Sequence, residues 1–182
     1  MSLRRSAVAL CAATVTGFSL VTPAHAALVD APVTHSAPGA ALAVEPVGTY
    51  ATGIFDQSAA EIVAHHAASQ RVMVVNANSG EIDVLDISDP TVPTLLHSVD
   101  AGADTTINSV AVRADGLAVA TVEPADKTAP GEVIFFDAAG DGEVLGRAGV
   151  GSLPDMVTIT EDGTHALVAN EAEPAEDYSG DP

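Results

Sequence analysis

The chain has 182 residues, with 6 basic and 25 acidic side chains and a formal net charge of −19. A nucleic-acid binder must neutralise phosphates with Lys and Arg, so that partner is excluded, and an anionic membrane surface is disfavoured on the same ground. Hydrophobic residues make up 47 % of the chain but aromatic ones only 3 %, with one cysteine and no tryptophan; the core must be built from small branched side chains without a disulfide, and a large stacked redox cofactor is not expected.

Met1 to Arg5 carries two arginines and no acid, and Ser6 to Val21 is an almost unbroken apolar run ending before Pro23. That is the layout of an export signal. The run holds about 16 residues, interrupted by Gly17, short of the roughly 20 a spanning helix needs. Ala24-His25-Ala26 puts small residues where a signal peptidase reads them, so residues 1–26 are assigned as a signal peptide cleaved between Ala26 and Ala27. Ser6-Ala7-Val8 after Arg4-Arg5 is a poor twin-arginine pattern. Leu10 stands where a lipidated cysteine needs a small residue, so Cys11 reads as part of the apolar run. The expected mature chain keeps 4 basic residues against 25 acidic ones, a net charge of −21.

Residues 27–47 contain Pro32, Pro38 and Pro46 among Ala, Ser, Thr and Gly, with no clear period, and read as an extended leader. From Gly48 short apolar runs rich in Val and Ile recur about every ten residues, as an all-β domain requires. The expected strands are Glu61 to His65, Arg71 to Asn76, Glu81 to Ile87, Thr94 to Val99, Asn108 to Arg113, Leu117 to Val122, Glu132 to Asp137, Glu143 to Arg147, Met156 to Thr160 and His165 to Asn170. Ser79-Gly80, Asp89-Pro90, Asp115-Gly116, Pro130-Gly131, Gly140-Asp141-Gly142 and Asp162-Gly163 fall between them as turns.

The spacing of these runs repeats. Val63, Val110 and Val157 open equivalent stretches 47 residues apart, each an apolar strand, a turn and a second apolar strand. A period in the forties with about four strands marks a β-propeller blade; a sandwich with evenly spaced strands is the alternative. About two and a half such units do not close a ring of four or more blades. The expectation for residues 48–182 is therefore the N-terminal part of a propeller that continues beyond Pro182.

Several segments carry a family resemblance: Tyr50-Ala51-Thr52-Gly53-Ile54-Phe55-Asp56, Ser58 to Val63, Val75-Asn76-Ala77, Ile82 to Pro90, and Ala169-Asn170-Glu171-Ala172-Glu173-Pro174 through Asp177-Tyr178 to Asp181-Pro182. Together they resemble the opening of bacterial choice-of-anchor I domain proteins, related to mesenchyme-specific cell surface glycoproteins. The resemblance implies a secreted or surface propeller-type protein whose anchoring device lies in a C-terminal segment absent here. Some relatives carry the label alkaline phosphatase.

The densest set of polar side chains is Asn170, Glu171, Glu173, Glu176, Asp177 and Asp181, an oxygen-rich loop after a strand. Glu171, Glu173, Asp177 and Asp181 are the candidate ligands, and Ca²⁺ is the cation such a loop would take; a solvated acidic loop is the alternative. Asp137 to Glu143 resembles half of a calcium loop, but Ala139 and Ala148 stand where oxygen ligands belong, so it reads as a hairpin turn. His65 and His66 fall on opposite faces of a strand and cannot share a metal, and His97 and His165 are isolated in the sequence. No catalytic residue is assigned, since there is no Gly-x-Ser-x-Gly elbow and Lys127, the only lysine, lies in no phosphate-cradling loop. Two functions remain. One is a non-enzymatic extracellular scaffold presenting loops to an unknown partner or ligand, with no membrane span in the mature chain. The other is a metal-dependent, alkaline phosphatase-like phosphohydrolase.

Overall fold

Each apolar run becomes a strand. The computed structural model describes residues 37–42, 46–57, 59–175 and 177–178. The expected signal peptide, its Ala26–Ala27 junction and most of the leader lie outside the described residues, as do Glu176 and Asp181. The strands are β1 (Ala60–His66), β2 (Arg71–Asn76), β3 (Glu81–Asp86), β4 (Thr94–Val99), β5 (Thr105–Val112), β6 (Leu117–Pro124), β7 (Pro130–Asp137), β8 (Val144–Ser152), β9 (Pro154–Ile159) and β10 (Ala166–Asn170). All pairing is antiparallel between chain neighbours: β1-β2-β3-β4, β5-β6-β7-β8 and β9-β10 form three separate sheets. The described residues contain no helix.

The sheets stack face to face, and the alternation of side chains shows how. Met73 and Val75 of β2 and Ile82 and Val84 of β3 pack against Ala118, Ala120, Val122, Ile134 and Phe136 of the second sheet. The intervening Val119 and Val133 turn the other way, onto Val157 and Ile159 of β9 and Val168 of β10. The second sheet is thus covered on both faces, which is why Leu117–Pro124 reads as a nearly continuous apolar run rather than an alternating one. Each fully buried Val or Ile in these seams contributes roughly 1.5–3 kcal/mol of apolar transfer free energy. The three equivalent valines report their position in the stack. Val110 and Val157 are buried against the preceding sheet, whereas Val63, with no sheet before it among the described residues, is 63 % exposed.

Polar staples join the sheets. The His66 Nε2–H donates to the Ala114 carbonyl at 3.1 Å, and the Arg113 guanidinium donates to the Gly163 carbonyl at 3.0 Å. In both, the end of a sheet's first strand reaches the first turn of the next sheet. Arg147 donates to the Ala101 carbonyl at 2.7 Å, and Arg71 holds the β7–β8 turn through the Ala138 and Gly140 carbonyls. First strands also lie together, β1 against β5 and β5 against β9.

The turns follow their chemistry with one correction. Gly116 closes the Asp115-Gly116 turn at φ 94°, where a side chain would be strained and a Cβ would sit 2.7 Å from that of Ala139. Pro130-Gly131, expected as a turn, instead opens β7, and the turn lies upstream at Asp126, whose carboxylate accepts the Thr128 amide at 3.1 Å. The glycine serves close approach: a Cβ on Gly131 would come within 2.7 Å of the Pro154 ring and the Val122 carbonyl oxygen. Strands β5 and β8 run longer than expected, β5 starting at Thr105 rather than Asn108 and β8 ending at Ser152 rather than Arg147, through pairing with β6 and β7.

Candidate functional site

The acidic loop leaves β10 with the Glu171 amide donating to the Leu153 carbonyl at 2.9 Å. Glu171, Glu173 and Asp177 are all exposed, and Ala172 takes a left-handed φ of 56°. Glu173, Pro174 and Ala175 face Ala125 to Thr128 across an open groove of about 450 Å³. Lys127 on the opposite wall pairs with Glu123 at 3.5 Å. Among the described residues, no three His, Cys, Asp or Glu side chains converge on a point that would hold a metal. Asp181, the fourth candidate ligand, lies outside the described residues.

The Asp137–Glu143 segment is a hairpin turn held by its own aspartate. The Asp137 carboxylate accepts the amides of Ala139 at 3.0 Å and Gly140 at 2.9 Å. Of the histidine pair, His65 is exposed and His66 buried, as opposite faces require. Because a carbonyl only accepts, the bond to Ala114 makes His66 Nε2 the protonated nitrogen, and Nδ1 accepts from the Ser69 hydroxyl at 2.7 Å. His165 is exposed beside Thr164. His97 on β4 is half-buried, and its Nε2, packed against Gly142, has no hydrogen-bond partner among the described residues. Arg113 grips Asp115 with two bonds of 2.8 and 2.6 Å, and that pairing holds the Asp115 carboxyl down to about 2.

One polar constellation is new relative to the sequence reading. Asp83 on β3 is only 8 % exposed, on the face of the first sheet turned away from the second. Its carboxylate accepts from the Asn76 side-chain amide at 2.9 Å and the Ser98 hydroxyl at 2.8 Å. Tyr50 and Thr52 of the extended segment before β1 line an open cavity of about 190 Å³ beside it, with Ala59, Ala60, Val74, Asn76 and Leu85. Burial pushes the Tyr50 phenol above its ordinary value, and the Asp83 charge adds to that. The sequence did carry a signal, an aspartate inside the apolar run Ile82–Leu85, but not the segment beside it.

A family model, the choice-of-anchor I domain, matches residues 61–182, about two thirds of the chain and all ten strands from the second residue of β1 onward. The chain belongs to the choice-of-anchor I domain family. The acidic loop after β10 thus lies inside the family's domain, and the first 60 residues lie before the match. No curated protein matches the chain. Among solved structures, a Bacteroides caccae protein of unknown function is similar at 15 % identity and a TM-score of 0.44, over 60 % of this chain and 37 % of that one. Kuenenia stuttgartiensis hydrazine synthase is similar at 17 % identity and a TM-score of 0.49, over 67 % of this chain and 33 % of that one. The chain thus spans about a third of the length of these structures.

Proposed function

We propose that the protein is an exported or surface-displayed binding scaffold, without catalytic activity, whose sheets are successive blades of a β-propeller with a period of about 47 residues. Membership in a choice-of-anchor family supports the surface or secreted setting. No described helix is long and apolar enough to cross a membrane. The observation that carries the propeller reading is the recurrence of one joint. His66 to Ala114 and Arg113 to Gly163 link equivalent positions of consecutive sheets, across 48 and 50 residues of chain, while β1, β5 and β9 lie side by side as the inner strands of a ring would. Loops between strands then form two rims, and the acidic loop after β10 shares a rim with the Ala125–Ala129 turn.

Fractionation of the producing cells with N-terminal sequencing tests the setting. The expected result is protein in the medium or on the surface, beginning within a residue or two of Ala27. Cytoplasmic protein retaining Met1 would overturn it. The alternative, a metal-dependent phosphohydrolase, would be favoured by turnover of p-nitrophenyl phosphate with Ca²⁺, Mg²⁺ or Zn²⁺ that is lost on Glu171→Gln with Glu173→Gln.

A further inference from the structure

The mature chain is short of cations, and every one among the described residues is accounted for. Arg71 is spent on the Ala138 and Gly140 carbonyls, Arg113 on Asp115 and Gly163, Arg147 on Glu132 and Ala101, and Lys127 on Glu123. The two most buried acids are therefore treated differently. Glu123, 8 % exposed, has Lys127 and the Asn108 amide. Asp83, equally buried, has only the neutral donors Asn76 and Ser98, and no Lys, Arg or His of the described chain pairs with it. A buried carboxylate without a countercharge is costly, and this one opens onto a cavity rather than onto packed side chains.

The composition of that cavity selects the missing partner. A hard divalent cation needs six or more oxygens, and here there is one carboxylate, with the Asn76 carbonyl oxygen already accepting the Asn78 and Ser79 amides at 3.2 and 3.3 Å. The walls are instead apolar: Val74, Leu85, Ala59 and Ala60. At about 190 Å³ and open to solvent on one side, the space has room for a short alkyl chain. A charged end at Asp83 and an alkyl body along Val74 and Leu85 satisfy both halves. We propose that the Asp83 cavity is a binding site for a primary alkylammonium group, with the Tyr50–Thr52 segment as its outer wall. A free amine and a lysine side chain carry the same chemistry.

The experiment is titration of the exported protein, by calorimetry and by chemical-shift mapping, with n-butylammonium, with Nα-acetyl-lysine methylamide and with the neutral isostere n-butanol. The expected result is saturable binding of an ammonium probe at least tenfold tighter than butanol, with shifts centred on Val74, Asp83 and Leu85. Asp83→Asn, whose fold is checked by its dichroism spectrum, brings the ammonium affinity down to that of butanol. Asp89→Asn, an exposed acid in the β3–β4 loop, leaves it unchanged. Tighter binding of the lysine derivative assigns the source to a protein partner, and tighter binding of butylammonium assigns it to a free amine. Equal affinity for butylammonium and butanol, or an Asp83→Asn protein that binds ammonium as before, overturns the proposal.

Discussion

At the scale of single residues, His97 gives the fold a dependence on acid. Burial holds its pKa below the ordinary 6.5, and the neighbouring Arg71 acts in the same direction while Asp141 opposes. The folded protein therefore binds that proton more weakly than the unfolded chain, so stability is complete above pH 6.5 and falls as pH drops below it toward the lowered value. Replacing His97 with Gln removes the titration. The loss of melting temperature as pH falls from about 7.5 to about 5 should be smaller in His97→Gln than in the unsubstituted protein. Melting curves across that range check it, and identical slopes for the two proteins would rule it out. The carboxylates after β10 carry the second residue-scale expectation. If Glu171, Glu173, Asp177 and Asp181 hold Ca²⁺, a hundredfold excess over Kd stabilises by about 2.7 kcal/mol. Glu171→Gln with Glu173→Gln should abolish most of the gain. A rise that Mg²⁺ reproduces at equal ionic strength, and that the substitutions leave in place, identifies plain charge screening.

At the scale of elements, the stack makes three valines with the same sequence context unequal. Val110 lies in the seam between the first and second sheets, whereas Val63 occupies the same position on a face that no sheet covers among the described residues. In a chain of residues 27–182, Val110→Ala should cost roughly 1.5–3 kcal/mol and Val63→Ala within about 0.5 kcal/mol. Urea denaturation measures both, and equal costs would contradict the stacking. The strands themselves were legible because short apolar runs bounded by turn formers have one easy solution: Arg71–Asn76 and Thr94–Val99 fall where the pattern puts them. The end of β8 was not, since Ala148 to Gly151 has a single branched side chain, Val150, among small residues, and its strand is fixed by pairing with β7 and by Val150 packing on the second core cluster. Gly131 misled for a related reason: glycine marks a turn and a close approach alike, and only the position of Pro154 separates the two. The Asp83 cavity was half legible. An acid within an apolar run stands out, but its outer wall comes from Tyr50 and Thr52, a segment whose own composition gives no sign of where it docks.

At the scale of the molecule, charge and stacking work against each other. Few basic residues remain to oppose the acids, and three of them, Arg71, Arg113 and Arg147, also donate to carbonyls of neighbouring sheets and linkers. Cohesion thus depends on the apolar seams, and those seams leave surfaces open. Val63 stands on one end of the stack, and Met156 and Leu167, 50 % and 55 % exposed, stand on the other beside the edge strand β10. Uncovered faces and edges of this kind template association, and in a propeller further blades would cover them. Sedimentation velocity on a chain of residues 27–182 tests this most directly. The expected result is concentration-dependent association that Val63→Ser together with Leu167→Ser reduces to monomer; a single monomeric species of the unsubstituted chain, unfolding in one cooperative step, would contradict the reading of these sheets as blades of an open propeller.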